Sequence, residues 1–221
     1  MKKKGLLIAG GALILVVIIA IAIFLAATAK PADPTIDLTG FWKVYRYGDD
    51  VISSEYMIFD SEQVSDYRDG AAEPFISSSY TWVDSTTISM EQINRTFTVR
   101  QVSENNVILV EPNTIEWKMF RVSANGVQPG DFDPAALPGN WNVVMHAGQA
   151  ITNESMEFTE TALTDYRDGA VYLESEYIWN EDGTLTATGL NHTFEVYASD
   201  DNTIILFDLT DGYLWELEKA S

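Results

Sequence analysis

The hexapeptide DYRDGA stands at Asp66–Ala71 and again, unchanged, at Asp165–Ala170. The two copies lie 99 residues apart, and the likeness runs well beyond them. LTGFWKV from Leu38 aligns with LPGNWNV from Leu137, and 14 of the 34 positions from Leu38 to Ala71 match their partners. Further along the offset slips to 97, where YTW (Tyr80–Trp82) meets YIW (Tyr177–Trp179) and NRTFTV (Asn94–Val99) meets NHTFEV (Asn191–Val196). All six tryptophans fall into three pairs: Trp42 with Trp141, Trp82 with Trp179, Trp117 with Trp215. The chain is a duplication. The copies occupy 38–122 and 137–221, joined by a Gly-, Pro-, Ala- and Asp-rich linker at 123–136. Two long copies predict tandem domains rather than a solenoid, which needs three or more repeats to bury its core.

Within a copy the apolar residues alternate with period two, as in Trp42/Val44, Met57/Phe59, Tyr80/Trp82, Phe97/Val99 and Ile115/Trp117/Met119. That is the period of a half-buried strand. Turn residues recur at the spacing of an all-β sandwich or barrel, so seven or eight short strands are expected per copy. Asp69-Gly70 and Asp168-Gly169 suit tight hairpins, because Gly accepts positive φ without a Cβ clash. Gly70 and Gly169 are therefore structural. A turn does not dictate the residues before them, so Asp66, Tyr67, Arg68 and their counterparts Asp165, Tyr166, Arg167 are the candidate binding residues. Tyr and Arg are enriched in binding hot spots. The blander possibility is that Arg68 pairs with Asp66 or Asp69 while Tyr67 packs on the sheet.

The first thirty residues differ in kind. Lys2, Lys3 and Lys4 precede an uncharged apolar run at 5–29, and Lys30 closes it. A helix of that length rises about 37 Å, enough to cross a membrane. The expectation is a cytoplasmic segment at 1–4, a transmembrane signal anchor at 5–29 and a juxtamembrane linker at 30–37, with a cleaved signal peptide as the alternative. The more positive flank stays in the cytoplasm, which places the C-terminal domains outside the cell membrane as a single-pass envelope protein. Beyond Lys30 stand all 33 acidic residues and 13 − 4 = 9 basic ones, a formal charge of −24. So acidic a chain repels nucleic acid. No cysteine is present, so neither disulfides nor a lipidated cysteine is available.

Each copy opens on Gly-x-Trp (Gly40-Phe41-Trp42, Gly139-Asn140-Trp141) and carries a late basic residue, Arg121 or Lys219. This pattern resembles the bacterial lipocalin-like, calycin-type small β-barrels. The resemblance implies that Trp42 and Trp141 each close one end of a barrel, with Arg121 and Lys219 packed across them. The copies are about half the length of a full lipocalin. Three tryptophans and other large aromatics must fit in each, so a filled interior is expected.

Catalytic groups are scarce. Nucleophile elbows, phosphate loops and zinc-ligand spacings are absent, and His146 and His192 read as ordinary exposed side chains. Calcium is considered for Asp208/Asp211, but no loop has the calcium-binding pattern. No cofactor, metal or catalysis is expected. The fold class is all-β, two tandem small antiparallel β-barrels of about eight strands behind an N-terminal transmembrane helix. The expected function is a membrane-anchored, extracytoplasmic binding or interaction module with a protein partner. The alternatives are a carrier or sensor of a small apolar ligand, and a carboxylate-dependent hydrolase. The last requires two carboxylates of separated proton affinity in one cleft.

Overall fold

The structure, a computed structural model, describes residues 36–123 and 130–221. The first copy contains β1 (Gly40–Tyr47), β2 (Asp50–Phe59), β3 (Gln63–Arg68), β4 (Ile76–Trp82), β5 (Thr87–Met90), β6 (Arg95–Ser103), β7 (Asn106–Val110) and β8 (Glu116–Val122). The second contains β9 (Gly139–His146), β10 (Gln149–Phe158), β11 (Ala162–Arg167), β12 (Ala170–Trp179), β13 (Leu185–Ala187), β14 (His192–Ala198), β15 (Thr203–Asp208) and β16 (Leu214–Lys219). Within each copy every strand pairs antiparallel with its neighbour in sequence. β1 also pairs with β8, and β9 with β16, so both sheets close into barrels. Closure leaves no unpaired strand edge.

The duplicated motifs have local causes. Asp69 and Gly70 both sit at positive φ (55° and 67°), as do Asp168 and Gly169 (51° and 76°). These are the two central residues of a type I′ turn, whose twist matches the flanking strands. The slip from 99 to 97 also has a place: Asp66 pairs with Ile76 but Asp165 with Leu173, so the first copy carries two more residues after its turn. Gly40 and Gly139 open each barrel at φ 127° and 141°, a backbone that side chains rarely adopt.

Each barrel buries the tryptophan of its Gly-x-Trp opening. Trp42 is fully buried and its indole N–H donates to the Leu38 carbonyl (2.6 Å); Trp141 donates to Leu137 (2.8 Å). The Arg121 guanidinium lies 4.7 Å over the Trp42 ring and the Lys219 ammonium 5.7 Å over Trp141, both within cation–π range.

One expectation needs correction. The transmembrane helix does not belong to the observed fold. Its segment 5–29 lies outside the described residues, and among those described no helix is long and apolar enough to cross a membrane. The segments expected as linkers are partly structural. Ile36 packs into the first core, and Phe132 packs into the second, stacking on Trp179 at 6.0 Å. The two barrels, whose arrangement the sequence leaves open, are docked. Tyr45, Phe120 and Val122 of the first share a core with Met145, Tyr197, Ile205, Phe207 and Leu214 of the second. Polar groups close over it: the Glu216 carboxylate accepts from Ser103 (2.7 Å), Asn105 (2.9 Å) and Asn106 (2.7 Å). Buried Lys43 lies 3.9 Å from Glu195 and donates to the Ser53 carbonyl.

Candidate functional site

The first barrel is not filled. Of its three tryptophans only Trp42 is fully buried, while Trp82 and Trp117 sit partly buried against the core. The half of the barrel away from Trp42 holds a cavity of about 590 Å³, within the range of small-molecule sites. Its floor is apolar, formed by Met57, Val64, Met90, Phe97 and Leu109, all buried. Glu55, Asp66, Arg68 and Arg95 line the wall and mouth, with Tyr47 and Trp117 beside them in edge-to-face contact at 4.7 Å.

The DYR triplet is split by the strand it belongs to. Asp66, Tyr67 and Arg68 end β3 rather than forming a loop. Side chains on a strand alternate between faces, so Asp66 and Arg68 line the cavity while Tyr67 lies on the other face, stacked flat on Tyr56 at 4.9 Å. Arg68 thus pairs with Asp66 while Tyr67 packs on the sheet, the blander of the two possibilities for this triplet. In the second barrel Tyr166 likewise turns away and donates to Glu157 at 3.0 Å. Asp165 is buried and Arg167 pairs with it, at 3.2 Å.

Arg68 reaches Asp66 at 2.8 Å and Glu55 at 3.4 Å, and its guanidinium lies 4.3 Å over the Phe75 ring. The second barrel repeats this with Arg167, Asp165, Glu154 and Tyr172. Glu55 and Glu154 carry no signal in the repeated hexapeptide. They come from the preceding strand, directly opposite the arginines in register. A sequence signal did exist, since Glu55 shares the period-two face of Met57 and Phe59, where an acid is out of place.

The arginine between two carboxylates leads one to expect low proton affinity. Burial prevails instead. It pushes Glu55 up to about 7, reinforced by the Asp66 charge, and it raises Asp66 against the pull of Arg68. Glu154 and Asp165 shift upward through burial as well. Glu55 therefore holds a proton that the unfolded chain would release. Stability conferred by this arrangement is lost as pH climbs from the ordinary 4.5 through about 7. Glu55→Gln mimics the protonated form. It should flatten the pH dependence of the melting temperature across that window and raise the melting temperature above it, as read by thermal denaturation at a series of pH values.

Neither histidine is fully exposed. His146 is half-buried and stacks on Trp215 at 4.3 Å, and His192 bonds Asp208 at 2.6 Å. The latter pair occupies the position of Arg95 and Glu111 (2.8 Å) in the first barrel. Among the described residues His192, Asp208 and Asp211 are close enough to share a metal ion; the His192 Nδ1 lies 2.6 Å from Asp208 and its Nε2 4.0 Å from Asp211.

The fold and site define a tandem pair of closed eight-stranded barrels, docked, with an amphipathic cavity in the first. No family model, curated protein or solved structure matches the chain.

Proposed function

We propose that the protein is a lipocalin-like binding module whose first barrel holds one small, largely apolar ligand. The observation that carries this reading is the cavity of about 590 Å³, apolar at its floor and charged at its mouth. A filled interior would have left only the outer surfaces for binding. The partner-binding reading of the DYR triplet loses its support, because Tyr67 and Arg68 face opposite ways.

The hydrolytic alternative has one observation in its favour, the Glu55–Asp66 pair in a cleft. Those two carboxyls lie within hydrogen-bonding reach of each other. Carboxylates that flank a scissile glycosidic bond stand roughly 5 Å or more apart. The pair fits a binding wall better than an acid–base couple.

Calorimetric titration of the full chain with phenylbutanol tests the proposal. One molecule is expected to bind per chain. Met90→Trp, which fills the cavity floor, should abolish binding while the circular dichroism spectrum stays unchanged. Absence of binding to the parent chain, or binding that survives the filled cavity, would overturn the reading.

A further inference from the structure

We infer that the ligand of the first barrel carries a cationic amine head, seated against Glu55 and Asp66 with its apolar body on the floor of the cavity. This rests on the reading of that cavity as a ligand site.

The charged groups at the mouth are unequally satisfied. Arg68 donates from Nε (3.0 Å) and Nη2 (2.8 Å) to Asp66 and from Nη2 to Glu55 (3.4 Å), and its face is covered by Phe75. Arg95 is paired with Glu111, which also accepts from the Trp117 indole N–H at 2.8 Å. Both arginine side chains lean outward, 37% and 49% exposed. Asp66 is only 7% exposed, and its Oδ1 is buried without a hydrogen-bond partner. The unmet demand at this site is for a donor, not an acceptor.

The charge balance agrees. Glu55, Asp66 and Glu111 oppose Arg68 and Arg95, which leaves one negative charge when all are ionised. A desolvated negative charge is costly, and the unliganded protein relieves it by keeping a proton on Glu55. An ammonium group entering beside Asp66 would take over that role and displace the proton. The remaining charges facing Glu55 are Asp69 at the turn and Lys43 on β1. Tyr47 and Trp117 line the same cavity, and aromatic rings favour a cation. The strongly acidic surface raises the local concentration of cations over anions.

Three isosteric probes separate the possibilities: phenylbutylamine, phenylbutanol and phenylbutyrate, titrated into the full chain by calorimetry in two buffers of different ionisation heat. The amine is expected to bind tightest, roughly tenfold or more over the alcohol, as for a hydrogen bond to a charged group. Its binding should release a fraction of a proton near neutral pH and tighten as pH rises through about 7. In Glu55→Gln the proton release should vanish and the amine-to-alcohol ratio should collapse. Tightest binding of the butyrate, or equal binding of amine and alcohol without proton release, would overturn the amine assignment and leave the cavity reading standing. Failure of all three probes would overturn both.

Discussion

Replacing Trp42 by Ala should cost about 3–5 kcal/mol, the usual range for truncating a buried aromatic. The side chain is fully buried in the first core among Ile36, Leu38, Val44 and Phe59, and Arg121 lies across its outer face. Truncation opens a void at the closed end of a barrel that already holds a cavity at the other. Little is left between to collapse inward. A single domain is stabilised by only about 5–15 kcal/mol, so the first barrel should lose most of its margin. Guanidinium unfolding followed by far-ultraviolet circular dichroism would show the shift. Trp42→Phe separates the contributions, since it keeps most of the volume and leaves the Leu38 carbonyl without its 2.6 Å donor. Its cost should be smaller, about 1–3 kcal/mol. If both variants unfold like the parent, Trp42 does not hold the barrel closed.

Phe207→Ala should be comparably severe, about 3–5 kcal/mol, but with a different signature. Phe207 is fully buried, yet it belongs to the shared core rather than to the interior of the second barrel. Its ring packs against Tyr45 of the first barrel at 5.9 Å. Removing it leaves both barrel interiors intact and weakens the coupling between them. The parent should therefore unfold in one cooperative step, and the variant in two. Glu216 is the polar counterpart. Without its carboxylate the buried Asn106 amide would lose its 2.7 Å acceptor and keep only the Ser103 hydroxyl at 3.3 Å. A parent chain that already unfolds in two steps would show that the docked surface couples the barrels too weakly to matter.

Both effects follow from which strands are buried on two faces. In β15 (TIILFD) all six residues are buried, and in β1 the run Trp42–Tyr45 is buried without a break. One set of alternate side chains fills the barrel, as Ile204 and Leu206 do; the other, Ile205 and Phe207, fills the interface. Continuous apolar runs of this kind mark strands covered on both sides. NNVILV and DNTIIL are plain to see in the sequence, so the docking was legible there in principle. The buried Lys43 was not, because its charge disguises a position whose neighbours come from the other barrel.

What the sequence determines by itself is what short-range rules decide. The duplication, the period-two alternation, the Asp-Gly turns and the Gly-x-Trp openings specify two all-β units. The pairing of Trp42 with Arg121, and of Trp141 with Lys219, is implied only by the resemblance that the Gly-x-Trp openings carry. What only the tertiary structure decided is where polar residues meet. Asp66 and Arg68 stand in the repeated hexapeptide, yet their chemistry depends on Glu55, eleven residues earlier and on the neighbouring strand. Strand alternation turns Tyr67 away from both. Whether a barrel interior is full or hollow depends on how far three tryptophans reach inward, a question of volume summed over eight strands. Proton affinity depends likewise on burial, which no local pattern encodes. An arginine beside a carboxylate predicts an ordinary acid, and the wall of the cavity makes it a reluctant one.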